Sequence, residues 1–121
     1  MSLKVGIFLL LLFFKHFLAD FVIQTTELVE LKSKYVKYLL LHSFHQAFLT
    51  LLILLLFKIV FIKIFIIFFS ELFLHSFLDF LKARKIFYSG VSFPNNQYFK
   101  ELGFDQFLHY FSYLLIAFFA F

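Results

Sequence analysis

Residues 74–80 read LHSFLDF, an apolar run that carries His75 and Asp79 four residues apart. In a helix that spacing puts both side chains on one face. A near copy, KHFLADF at 15–21, holds His16 and Asp20 at the same spacing in a second apolar run. His42 and His45 open a third such run, and Asp105 and His109 open a fourth. All five His and all three Asp of the chain therefore fall inside hydrophobic segments, the reverse of a solvated surface.

Of the 121 residues, 64% are hydrophobic and 24 are Phe, and the mean hydropathy is +0.99. Soluble domains hold roughly 45–50% apolar residues. A soluble domain of this size would leave much of its Phe and Leu in water as adhesive patches, so lipid is the consistent solvent. The chain has no Cys, which excludes disulfides, thiolate metal sites and a Cys nucleophile and leaves imidazole and carboxylate as the strong ligands. The formal net charge is +4 with pI near 9.4, but the basic residues flank apolar runs. That placement is explained by membrane orientation and excludes nucleic acid as the partner. Lys4 ahead of an apolar run has the look of a secretory signal. The run lacks a small-x-small cleavage site and continues past Lys15, so it predicts an uncleaved first transmembrane helix.

Four segments approach the roughly 20 residues that cross a bilayer: 5–23, 38–57, 64–81 and 104–121. They predict an all-α, four-helix transmembrane bundle forming a single domain. The stretch 24–37 has Thr25 and Thr26 as N-cap candidates and Glu30 with Lys34 at i,i+4, which predicts a short interfacial helix. Lys58 to Lys63 reads as a tight hairpin. Residues 83–103, with Gly90, Pro94, Asn95, Asn96 and Gly103 among aromatic residues, read as a long interfacial loop, a candidate lid. Seven basic residues (Lys32, Lys34, Lys37, Lys82, Arg84, Lys85, Lys100) fall on one side against Lys4, Lys58 and Lys63 on the other. The side with seven is expected to be cytoplasmic, with both termini outward, in a multi-pass protein of the cell's inner membrane.

Counted from that face at the helical rise, Asp20, His42, His45, His75, Asp79, Asp105 and His109 lie about 2–10 Å deep, with His16 about 10 Å. Eight residues from four helices thus share one leaflet. The plainer reading is a set of interhelical hydrogen bonds that hold the bundle together. Neutral imidazoles with carboxylates, and no core Lys or Arg matched to every carboxylate, favour a divalent metal instead. The expected ligands are His16, Asp20, His42, His45, His75, Asp79, Asp105 and His109, holding one or two ions, zinc first and manganese or iron next. A metal bound by imidazoles generates a nucleophile from water near neutral pH. Hydrolysis of a lipid or membrane-associated substrate is the leading reading, with Asp20, Asp79 or Asp105 as proton acceptor and Glu71 in reserve. Glu71 has an equal alternative as a carboxylate paired with Lys15. A metal-ion or proton carrier ranks second, because the outer halves of the helices are almost wholly apolar, and a structural or partner-binding role third. Self-association is left open.

At KHFLADFVIQT (15–25), LLLHSFHQAFLTLL (39–52), LHSFLDFLKAR (74–84) and FDQFLHY (104–110) the chain resembles a family of small bacterial and phage integral membrane proteins, domain of unknown function 3307. The resemblance covers most of the chain in the right order, supports the eight His and Asp residues as the shared polar set, and implies no substrate. That family in turn is loosely similar to membrane-bound metal-dependent hydrolases, which also spread His and Asp over short transmembrane helices. KHFLADF and LHSFLDF further suggest two related helical hairpins in parallel repetition.

Overall fold

A computed structural model describes residues 1–89 and 95–121, with the side chains of 86–89 excepted. Among the described residues the chain is all helix. The elements are α1 (Leu3–Phe17), which runs on into a π-helical turn (Leu18–Ile23), α2 (Thr26–Lys34), α3 (Val36–Leu56), α4 (Phe61–Ser89) and α5 (Asn96–Ala120). Three stretches, Leu3–Ile23, Val36–Leu56 and Phe61–Lys85, are long and apolar enough to cross a membrane. The first half of α5 is interrupted by Lys100, Glu101, Asp105, Gln106 and His109.

Local chemistry sets the boundaries. Ser2 caps α1 by accepting from the Val5 amide at 3.3 Å, Thr25 caps α2 from Leu28 at 3.1 Å, and Asn95 caps α5 from Gln97 at 2.7 Å. α3 stops in a Schellman arrangement: the Lys58 amide donates to Leu55 O and the Ile59 amide to Leu54 O, with Lys58 at φ 55°. The predicted hairpin therefore turns at Phe57–Val60, a little before Lys63, which lies in α4.

The short helix expected within 24–37 is present as α2. The long 83–103 loop is corrected: α4 continues to Ser89 and α5 begins at Asn96, so the predicted 64–81 and 104–121 helices are both longer. Apolarity ends at Leu81, but hydropathy measures solvent preference rather than helix formation, and the Lys-, Ala- and Arg-containing segment that follows is made of good helix formers. Gly103 sits inside α5, where no atom crowds it, and so marks no loop. Gly90 to Pro94, the rest of the candidate lid, lies outside the described residues.

α1 packs on α3 and α5, α3 on α4, and α4 on α5, closing a ring of four helices; α2 lies across α3 and touches α4. Each long helix changes character along its buried face. α1 buries Phe8, Leu9 and Leu12, then Lys15 and His16. α5 buries Asp105 and His109, then Tyr113, Ile116, Ala117 and Ala120. α4 buries Ile64 and Ile67, then Glu71, His75 and Asp79. One end of the bundle is thus an apolar plug, with Phe8 meeting Phe57 and Phe121 edge-on at 5.1 Å each, and the other end is polar. The outside is the reverse of a soluble protein: Phe73 is 69% exposed and Phe118 88%, amid many other exposed Phe and Leu side chains. That surface and those three spans are the features of a membrane protein.

Candidate metal centre

The polar face of α4 is a column with one residue per turn: Glu71, His75, Asp79 and Lys82. Over about 16 Å of helix an acid, an imidazole, an acid and an ammonium all point inward, and the other helices supply their partners. The three i,i+4 pairs legible in the sequence hold together, with Nε2 to carboxylate distances of 3.5 Å for His16–Asp20, 3.8 Å for His75–Asp79 and 3.4 Å for His109–Asp105. Asp20 sits in the π-helical turn that extends α1, a local widening that often marks functional sites.

Across helices the residues converge further. His42 Nε2 lies 3.0 Å from Asp20 Oδ1 and 3.2 Å from His75 Nε2. Asp79 stands between two groups, with Oδ2 3.7 Å from His42 Nε2 and Oδ1 3.5 Å from His109 Nε2. Three donor sets have their atoms within 4.8 Å of one another: Asp20–His42–His75, Asp79–Asp105–His109 and His16–His75–His109. All seven of these residues are buried. Two buried imidazole nitrogens, His75 Nδ1 and His109 Nε2, make no aligned hydrogen bond among the described residues.

Two donors about 2.0–2.2 Å from one ion at a tetrahedral angle lie about 3.3 Å apart. The 3.0 Å and 3.2 Å separations around His42 Nε2 match such edges. They equally suit hydrogen bonds in which His42 carries the Nε2 proton. The donor chemistry of Asp20, His42 and His75, two imidazoles and a carboxylate with no thiolate, is of a kind that could hold a metal ion.

His16 is placed differently. Its Nδ1 accepts from the Tyr113 hydroxyl at 2.9 Å and lies 3.3 Å from Gln46 Nε2, so its proton sits on Nε2, 3.0 Å from Gln106 Oε1. Gln46 Nε2 also donates to Asp20 Oδ1 at 2.7 Å. Behind them Lys15 donates to Gln46 Oε1 at 2.8 Å, to Tyr113 at 3.0 Å and to Glu71. This fixes the Gln46 amide, and through it the Asp20 carboxylate. Glu71 is thus a buried partner of Lys15, the second of its two sequence readings.

His45 is not brought in: it lies on the exposed side of α3, whose inward seam is Leu39, His42, Ser43, Gln46, Ala47, Thr50 and Leu54. The expectation that core Lys would leave carboxylates unmatched is corrected for Asp79 and Asp105, while Asp20 has no lysine partner among the described residues. Lys32 of α2 donates to Asp79 Oδ2 at 2.8 Å, and Lys82 to Asp105 Oδ2 at 2.8 Å and Asp79 Oδ1 at 3.3 Å. A burial-costly carboxylate draws a long flexible ammonium inward. Gln46, Tyr113, Gln106 and Lys82 were not among the site residues expected from the sequence. Gln46 and Tyr113 follow His42 and His109 at i+4, and Lys82 follows Asp79 at i+3, so the same-face spacing would have found them.

These features define a class: an all-α membrane-type bundle with a buried His and Asp centre in one half. The family described as Protein of unknown function (DUF3307) matches over residues 7–121, and the chain belongs to it. No curated protein and no solved structure matches the chain.

Proposed function

We propose that the chain crosses the membrane four times, α5 being the fourth crossing, and that its buried centre holds a divalent metal, zinc before manganese or iron, for hydrolysis of a lipid or membrane-associated substrate. The observation that carries this reading is the convergence of Asp20 Oδ1, His42 Nε2 and His75 Nε2 in a buried, thiol-free site. Three protein donors leave a coordination position for water or substrate, the pattern of catalytic rather than structural zinc. A bound ion supplies Lewis acidity and a nucleophile from water near neutral pH.

The chain's own residues do the rest. Gln46 orients Asp20, and Lys15, Glu71 and Tyr113 hold Gln46 and His16. A cleft between α4 and α5 has apolar walls that include Leu81 and Phe104 and reaches Lys82 and Asp105. Such a cleft gives the polar linkage of a lipid a path toward the centre. Asp79, whose Oδ2 lies 3.7 Å from His42 Nε2 and 3.8 Å from His75 Nε2, is the carboxylate best placed to take a proton from attacking water, with Asp105 next. Glu71, one turn behind His75 and bound to Lys15, serves as a positioning residue. The polar end carries Lys32, Lys34, Lys37, Lys82, Arg84, Lys85 and Lys100 and faces the cytoplasm of an inner membrane. Hydrolysis is preferred to ion or proton carriage because Phe8, Leu12, Leu54 and Ile67 close the polar network off from the opposite face.

The test is incubation of the metal-loaded protein with a panel of phospholipids and acyl lipids, read by mass spectrometry. Turnover that is lost in His75→Ala and Asp79→Asn is expected. Turnover undiminished in both variants, or none on any lipid, would remove the support for hydrolysis.

A further inference from the structure

The six residues Asp20, His42, His75, Asp79, Asp105 and His109 are arranged as two adjoining three-donor groups, with Asp79 between them. Taken alone, that is the layout of a carboxylate-bridged pair of metal ions. The two groups differ in one respect. Among the described residues no lysine ammonium contacts Asp20, His42 or His75. In the other group, the Lys82 ammonium lies 2.8 Å from Asp105 Oδ2 and 3.3 Å from Asp79 Oδ1, and the Lys32 ammonium lies 2.8 Å from Asp79 Oδ2.

We propose that Lys82, assisted by Lys32, is a built-in replacement for the second ion, so that the centre takes one divalent metal, at Asp20, His42 and His75. This rests on the metal-centre reading above and deepens it. Geometry and charge both argue for it. Each lysine nitrogen sits at hydrogen-bonding distance from carboxylate oxygens that a second ion would need, and the side chains of Lys82 and Lys32 are 19% and 8% exposed, so they fill the space rather than lie over it. The carboxylates Asp20, Asp79 and Asp105 against the ammoniums Lys32 and Lys82 leave a single negative charge, and Lys15 cancels Glu71. One divalent ion takes this cluster to a single positive charge; two would leave three positive charges buried at close range, which a low-dielectric interior opposes. Without the two lysines the same carboxylates would balance two ions as well as they now balance one. His109 Nε2, buried and lacking an aligned partner 3.4–3.5 Å from Asp105 and Asp79, is the donor left over from the replaced site. The tethered ammonium also gives the cleft between α4 and α5 a fixed cation at its inner end. There it would meet a phosphate or carboxylate oxygen of an incoming lipid without being lost to chelation or exchange.

The test is metal stoichiometry by elemental analysis of detergent-purified protein equilibrated with excess zinc and freed of loose ions on a desalting column. Wild type is expected to hold one ion per chain, Lys32→Gln/Lys82→Gln about two, and Lys32→Arg/Lys82→Arg, which keeps both positive charges, one. Circular dichroism and gel filtration certify the fold of each variant. Manganese electron paramagnetic resonance of the wild type needs no variant: isolated six-line spectra support the replacement, and an exchange-coupled pair signal overturns it. Two ions in the wild type, or one in a folded Gln/Gln variant, overturn the lysine replacement and leave the metal centre standing. No ion in the wild type overturns both.

Discussion

The two halves of this bundle are built from the same four helices and held by different forces. In one half, Phe8, Leu9, Leu12, Leu54, Ile64, Ile67, Ile116 and Ala117 touch one another. In the other, His, Asp, Gln, Tyr and Lys are joined by hydrogen bonds and ion pairs. In lipid the separated helices already lie in an apolar solvent, so the first half gains only dispersion and shape fit on assembly. The second gains electrostatic bonds that would otherwise be costly orphans in hydrocarbon. Specific pairing of the helices is accordingly assigned to the polar half, and the apolar half acts as the seal.

The sharpest way to break that contrast is to remove one member of a buried pair. Lys15→Met leaves Glu71 unpaired beside Tyr113 and Gln46, and is expected to cost about 3–5 kcal/mol in detergent unfolding. Lys15→Met/Glu71→Leu should recover most of that loss, since an apolar replacement of both partners is often neutral. If the double variant is as unstable as the single, the pair is not the source of the cost. In the apolar half, Leu12→Ala is expected to cost about 2 kcal/mol, the low end of the soluble range, because cavity and dispersion terms remain while transfer from water does not. Its metal content should be unchanged, and a loss of metal there would show that the halves are not separable.

Much of the polar half was legible because three imidazole–carboxylate pairs in an apolar background are costly wherever they lie, and their i,i+4 spacing fixes a face. His45 shows the limit: depth along the axis follows from counting residues, but azimuth is set by the seam through His42, Gln46 and Thr50, and His45 lies beside that seam. Lys82 shows another. A lysine just past an apolar run normally reaches toward headgroups, and the placement of Asp105 on the neighbouring α5 beside Asp79 turns it inward. The extensions of α4 and α5 were hidden because the boundaries were drawn from apolarity, which ends before the helices do.

Smaller effects sharpen the same contrast at its edges. Lys58→Gly, at the positive-φ position that ends α3 beyond the seal, is expected to stabilise by up to about 1 kcal/mol, because glycine adopts that conformation without a Cβ penalty. A loss of stability would mean that the Lys58 side chain contributes more than its backbone strain costs. His45→Ala is expected to change stability by less than about 0.5 kcal/mol, as for an exposed position outside any network. A larger effect, or any loss of metal, would return His45 to the centre.

The most direct measurement of the central claim is elemental analysis of the purified wild-type protein beside His42→Ala, His75→Ala and His45→Ala. His42 and His75 supply the imidazole nitrogens that meet at 3.2 Å, and His45 stands outside. A stoichiometric divalent ion is expected in wild type and His45→Ala, with its loss from both His42→Ala and His75→Ala. A wild-type protein without metal, or a metal content indifferent to His42 and His75, would contradict that claim.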